Sequence, residues 1–155
     1  EVLQLVKYRY TKFTGDLLDV NVWLALAIDE HPHHRAAVEY WSNHARTQKL
    51  FCRLSAMGFV RLLTQPKLMA DGALELVDAW RLYERYSALP TVGMLPEPDG
   101  VDTQLAGLVA KKLPARLLTD AYLAALTLCA QLRLVTFDKD FERFAGVSLY
   151  RLSPN

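Results

Sequence analysis

Short apolar runs set between longer stretches of helical spacing leave this chain few ways to fold. Leu17-Leu18, Leu50-Phe51-Cys52, the segment 91–95 and Leu134-Val135-Thr136-Phe137 read as strands, with 147–152 as a final edge strand. Between them lie helix-compatible segments. Asp19-Val20-Asn21-Val22 reads as a turn into a helix over 23–28, and the Glu30-His31-Pro32-His33-His34 break starts a second helix with Ala37, Val38, Trp41 and Ala45 on one face. Ser55 is the expected N-cap of a helix over 56–63, which must end before Pro66. A longer helix after Asp71 would align Leu74, Val77, Trp80 and Tyr83, and two more are expected over 101–113 and 119–132. Strands alternating with helices predict an α/β fold: a three-layer sandwich whose mostly parallel central sheet is flanked by helices, in one domain spanning 16–155.

Composition narrows the function. With 155 residues, 52% of them hydrophobic, the chain can bury a substantial core. The longest uncharged run, 121–132, is too short for a bilayer crossing, so no membrane role is expected. Cys52 and Cys129 stand apart without metal-site spacing, which suits a reducing, cytoplasmic setting better than a disulfide scaffold. Residues 1–15 hold Lys7, Arg9 and Lys12 against Glu1 and read as upstream native sequence or an expression remnant. From position 16 onward 15 basic residues face 16 acidic ones, so any nucleic-acid contact must come from a local patch.

Two aspartates fall where ligands bind in open α/β sheets, just beyond strand ends: Asp19 after Leu17-Leu18, and Asp138 after Leu134 to Phe137. Asp120 opens a helix whose next twelve residues carry no charge, which places its carboxylate at the loop end of a deeply packed element. Singly, each is accounted for as an acid near a helix start. Together they would repel one another unless a cation neutralised them, and hard oxygen ligands select Mg²⁺ or Mn²⁺.

Leu17-Leu18-Asp19-Val20-Asn21-Val22, Thr119-Asp120-Ala121-Tyr122-Leu123-Ala124-Ala125-Leu126 and Val135-Thr136-Phe137-Asp138-Lys139-Asp140-Phe141 resemble the three signature stretches of PIN-domain ribonucleases, and more narrowly those of the VapC toxins of bacterial toxin–antitoxin pairs. The likeness runs in order from 16 to about 152 and includes Gly58-Phe59-Val60-Arg61-Leu62-Leu63-Thr64. It implies a PIN-like sandwich and a Mg²⁺- or Mn²⁺-dependent endoribonuclease. Such an enzyme cuts structured RNA, tRNA or rRNA, leaves 5′-phosphate and 3′-hydroxyl ends, and is held inactive by a VapB-like antitoxin. It also implies that Asp19, Asp120 and Asp138 are catalytic metal ligands, with Asp140 a more peripheral acid and Asn21 and Thr136 orienting them. One family position is unmatched: a Glu in the helix after the second strand, where 54–65 contains no acid.

Lys111, Lys112 and Arg116 ahead of Asp120, with Lys139 and Arg143 after Asp138, are the expected RNA-contacting cations, against the plainer reading of a solvated run. His31, His33 and His34 read as a helix-entry loop rather than a metal site. The apolar face of the helix after Asp71 suits a homodimer or antitoxin interface. A haloacid-dehalogenase-type phosphatase would need an acid where Asn21 stands. The remaining alternative is a catalytically weak or inactive PIN-fold module that binds RNA or a protein partner, motivated by the absent Glu.

Overall fold

A computed structural model describes residues 14–154, so Lys7, Arg9 and Lys12 lie outside the described residues. The chain runs β1 (Gly15–Leu18), α1 (Val20–Ala27), α2 (His34–Glu39) continued by a π turn (Tyr40–His44), β2 (Gln48–Phe51), α3 (Arg53–Leu63), the short α4 (Pro66–Met69), a 3-10 turn (Ala70–Gly72), α5 (Leu76–Ser87) and β3 (Val92–Met94). It continues through α6 (Val101–Val109), a 3-10 turn (Ala115–Leu117), α7 (Leu118–Ala130), β4 (Arg133–Thr136), a third 3-10 turn (Lys139–Arg143) and β5 (Ser148–Arg151). The strands order as β3-β2-β1-β4-β5, and every pairing is parallel.

Strand side chains alternate between faces, so apolar neighbours in a strand divide between two cores. Leu17, Leu50 and Leu134 pack with α6 and α7, whereas Leu18, Phe51 and Val135 pack with α1, α3 and α5. The three layers follow. Trp23 lies flat on Phe51 at 3.8 Å between ring centres and anchors the second core. β1 needs a glycine where Gly15 meets β2, since a Cβ there would lie 2.6 Å from the Gln48 carbonyl oxygen.

One strand residue breaks the apolar rule. Asp16 is fully buried, and Arg133 of β4 donates to both its oxygens, Nε at 2.7 Å and Nη2 at 2.8 Å. The Tyr40 hydroxyl and the Arg46 backbone N–H complete its shell. This cluster joins β1, β4 and the π turn at the amino end of the sheet, away from the aspartates that follow the strands.

Several local expectations are corrected. The helix after β1 starts at Val20, with Asp19 rather than a longer turn before it. Cys52, not Ser55, caps α3: its sulfur accepts the Ser55 N–H and the Ser55 hydroxyl accepts the Cys52 N–H, so Ser55 sits inside the helix as the returning half of a capping box. Val38 is exposed beside buried Ala37, because successive helix residues point about 100° apart and Ala37 is the one that turns inward. On α5, Tyr83 and Ala79 face the core, while Val77 and Trp80 are 55% and 40% exposed. Alignment by spacing located an apolar stripe but not the direction it faces. The helix expected over 101–113 stops at Val109, and the chain turns away from it through Lys112, which adopts a left-handed conformation. Among the described residues no helix is long and apolar enough to cross a membrane, and both cysteines are free thiols.

Candidate active site

The chain builds β1, β2 and β3 toward one side, then returns to lay β4 against the other side of β1. The crevice at such a reversal lies between the carboxyl ends of the two adjoining strands, β1 and β4. Asp19 and Asp138 flank that crevice. The Asp19 N–H donates to the Val135 carbonyl at 2.9 Å, which pins the end of one strand to the other.

Thr136 organises what lies between. Its fully buried hydroxyl donates to Asp19 Oδ2 at 2.8 Å and accepts the Asp138 N–H at 3.0 Å and the Asn21 side-chain amide at 3.4 Å. A hydroxyl has one proton and two lone pairs, so all its capacity is used. Asp19 Oδ1 accepts the Val20 N–H at 2.7 Å, and Asp138 Oδ1 accepts the Asp140 N–H at 2.8 Å, each carboxylate capping the element that follows it. Asp120 stands in the first turn of α7, where the helix dipole favours an anion.

Electrostatics join the third acid to the other two. Asp19 is 8% exposed, and burial pushes its carboxyl up to about 6. The bonds from Thr136 and Val20 pull it down, while the charges of Asp120 and Asp138 raise it further. Asp120 is raised by burial and then by Asp138 and Asp140, with Arg116 opposing. The acids therefore sense one another, as groups sharing one field do.

Every polar side-chain ligand gathered here is a hard oxygen, and the buried Asn21 Oδ1 has no hydrogen-bond partner. Mutual repulsion, an orphaned acceptor and oxygen-only chemistry fit Mg²⁺ or Mn²⁺ with part of its water shell retained. The arrangement is open rather than a closed cage: among the described residues no three His, Cys, Asp or Glu side chains form a ready-made ligand group.

The basic residues divide. Arg116 reaches Asp140 at 3.4 Å, pairing a residue expected to contact RNA with one expected to support metal, and exposed Lys139 sits between Asp138 and Asp140. Lys111 and Lys112 instead line a separate cleft with Arg143. The histidines form a helix entry: His31 Nδ1 accepts the His33 N–H, and His34 Nδ1 donates to the Ala25 carbonyl. α3 carries no acid; Phe59 is fully buried, and a Cβ at Gly58 would touch only Val20, at 3.5 Å. Two acids escaped sequence reasoning. Asp16 is the structural one, signalled by a charge inside an apolar strand, and Glu97 accepts the Tyr122 hydroxyl at 2.8 Å, a pairing no local pattern announces.

Comparison with known proteins agrees with this geometry. The PIN domain family matches residues 17–147. Ribonuclease VapC41 of Mycobacterium tuberculosis is 34% identical over 144 residues, covering 88% of this chain and 98% of its own length. Ribonuclease VapC38 of the same organism is 36% identical over 126 residues, 79% of this chain and 84% of its own. Among solved structures, M. tuberculosis VapC20, described as a sarcin-ricin loop cleaving toxin, superposes with a TM-score of 0.63 at 15% identity, over 86% of this chain and 96% of that one. DNA-bound VapBC from Salmonella typhimurium gives 0.63 at 15% identity, over 90% and 98%.

Proposed function

The chain belongs to the PIN domain family, among its VapC-type ribonucleases, and we propose that it is a divalent-metal-dependent endoribonuclease toxin that hydrolyses structured RNA, tRNA or rRNA, and is held inactive by a VapB-like antitoxin. The observation that carries this reading is the buried Asp19, held by Thr136 in the crevice between β1 and β4 and repelled by Asp120 and Asp138.

Asp19, Asp120 and Asp138 would hold Mg²⁺ or Mn²⁺, with Asp140 peripheral. When bound, such a cation acidifies a water and neutralises charge building on the phosphoryl oxygens. The protein's own groups do the rest. Thr136 fixes one Asp19 oxygen and the Val20 N–H the other, so this carboxylate cannot rotate away from the cation's position. Asn21, whose side-chain amide donates to Thr136, keeps an unpartnered oxygen that would accept a hydrogen bond from a water at the site. Arg116 and Lys139, beside the acids, draw the RNA phosphates toward them against the acids' repulsion.

The apolar positions exposed on α5, Leu76, Val77 and Trp80, suit a protein interface, with the antitoxin or with a second copy in a homodimer. A second reading, a weak or inactive RNA- or protein-binding module, draws on the acid missing from α3. Purified antitoxin-free protein incubated with total cellular RNA separates the two. Cleavage with Mg²⁺ or Mn²⁺ that EDTA and Asp19→Asn both abolish supports the enzyme. Full cleavage in EDTA refutes the metal requirement, and an uncut pool favours the module.

A further inference from the structure

Three cations gather away from the acids. Lys111 and Lys112 at the end of α6 and Arg143 at the end of the 3-10 turn after β4 border an open cleft of about 360 Å³, floored by Leu113, Pro114 and Phe144. No carboxylate among the described residues pairs with any of the three. The nearby acids are engaged elsewhere, Glu142 with Arg151 at 2.6 Å and Asp140 with Arg116.

Lys112 is also conformationally costly. It lies in the turn just past α6 at φ +58°, with its N–H on the Val109 carbonyl at 3.1 Å, in the left-handed region where a glycine is preferred because it has no Cβ. A cationic side chain thus occupies a backbone position that glycine would fill at lower cost.

We infer that this cleft is an anchoring subsite for RNA backbone flanking the cut, with phosphates on Lys111, Lys112 and Arg143 and a sugar or base on the apolar floor. The inference rests on the ribonuclease reading and adds where the substrate is held outside the reacting centre. Continuity with the acids favours RNA over an acidic peptide. The link leaving Lys112 ends at Arg116, which bridges to Asp140, and the turn carrying Asp140 ends at Arg143. From Asp140 to Arg143 that turn advances about 6 Å, so one strand of alternating charge and apolar surface can lie across both places.

Binding of labelled bulk tRNA to the Asp120→Asn protein, with chemistry disabled, tests this by anisotropy across a salt series. Lys111→Gln, Lys112→Gly and Arg143→Gln should each weaken binding several-fold. Each should also flatten the dependence of log affinity on log salt by about 0.7 to 0.9 for every phosphate no longer neutralised. Lys112→Gly should meanwhile keep or raise Tm. Gln131→Gly, at the left-handed cap directly after α7 with φ +56° and at the far end of that helix from Asp120, should raise Tm with RNA binding unchanged.

Unchanged affinity and salt slope in all three variants overturn the inference, as does an Asp120→Asn protein that binds no tRNA. If the three lose affinity for purified antitoxin and keep that for RNA, the cleft belongs to the protein partner. The ribonuclease reading fails separately, through absence of metal-dependent cleavage by the native chain. Native cleavage with unchanged KM in the cleft variants leaves that reading standing and removes the subsite.

Discussion

Asp19→Asn should make this protein more stable while disabling its site. The folded-state carboxyl titrates near 6, against 3.8 for an ordinary aspartate, chiefly because it is buried. Between those values the folded protein holds a proton that the unfolded chain has released, so stability falls as pH rises through that window and stays lower above it. At neutral pH the ionised Asp19 costs the fold about 3 kcal/mol. Asparagine removes that cost and still caps α1. It loses the bond from Thr136, whose lone pairs already serve Asp138 and Asn21, at about 1 kcal/mol. The net gain is about 1 to 2 kcal/mol, and each kcal/mol raises Tm by about 2–4 °C in a domain of this size. Thermal unfolding followed by circular dichroism in EDTA-containing buffers from acid to neutral pH reads both quantities. The variant should be the more stable above pH 6, lose its advantage below 4, and show a shallower pH dependence, with a residual slope from Asp120, whose carboxyl is raised in the same direction. Added Mg²⁺ should stabilise the native protein and not the variant. A variant no more stable at neutral pH, with an unaltered pH slope, would refute the argument that Asp19 is held ionised at a cost.

Thr136→Val keeps the shape of the side chain but strips a charge-assisted bond and two accepting positions, so it should cost about 2 to 4 kcal/mol in urea unfolding. It should also move the acid limb of cleavage to higher pH, and Thr136→Ser should restore both. Arg133→Met leaves the Asp16 carboxylate buried without its bidentate partner and should destabilise the chain by about 3 to 5 kcal/mol in the same assay. Gly58→Glu has room beside Val20 and should lower the Mg²⁺ concentration for half-maximal cleavage in a metal titration. Phe59→Glu should instead unfold the protein, since it places a charge inside the aromatic core.

The layers and the order of the parts were already dictated by the amino-acid order. Leu17-Leu18 and Leu134-Val135 are apolar on both alternating faces, which requires helices on both sides, and aspartates directly after them must lie at the carboxyl edge whatever the details of packing. Which of those acids sense one another, and at what cost, was settled by packing in three dimensions. That depends on β4 pairing with β1 across a long stretch of chain, and so on the Thr136 hydroxyl meeting Asp19. The same holds for Asp16, whose carboxylate is tolerated in a strand only because Arg133 arrives beside it. Helix faces were the least legible feature of the sequence. Spacing aligns Val77, Trp80 and Tyr83, but only packing against the sheet decides that Tyr83 turns inward. Local patterns carry periodicity and chemistry; burial, and with it the charge state of Asp19, is a property of what packs around a residue from distant parts of the chain.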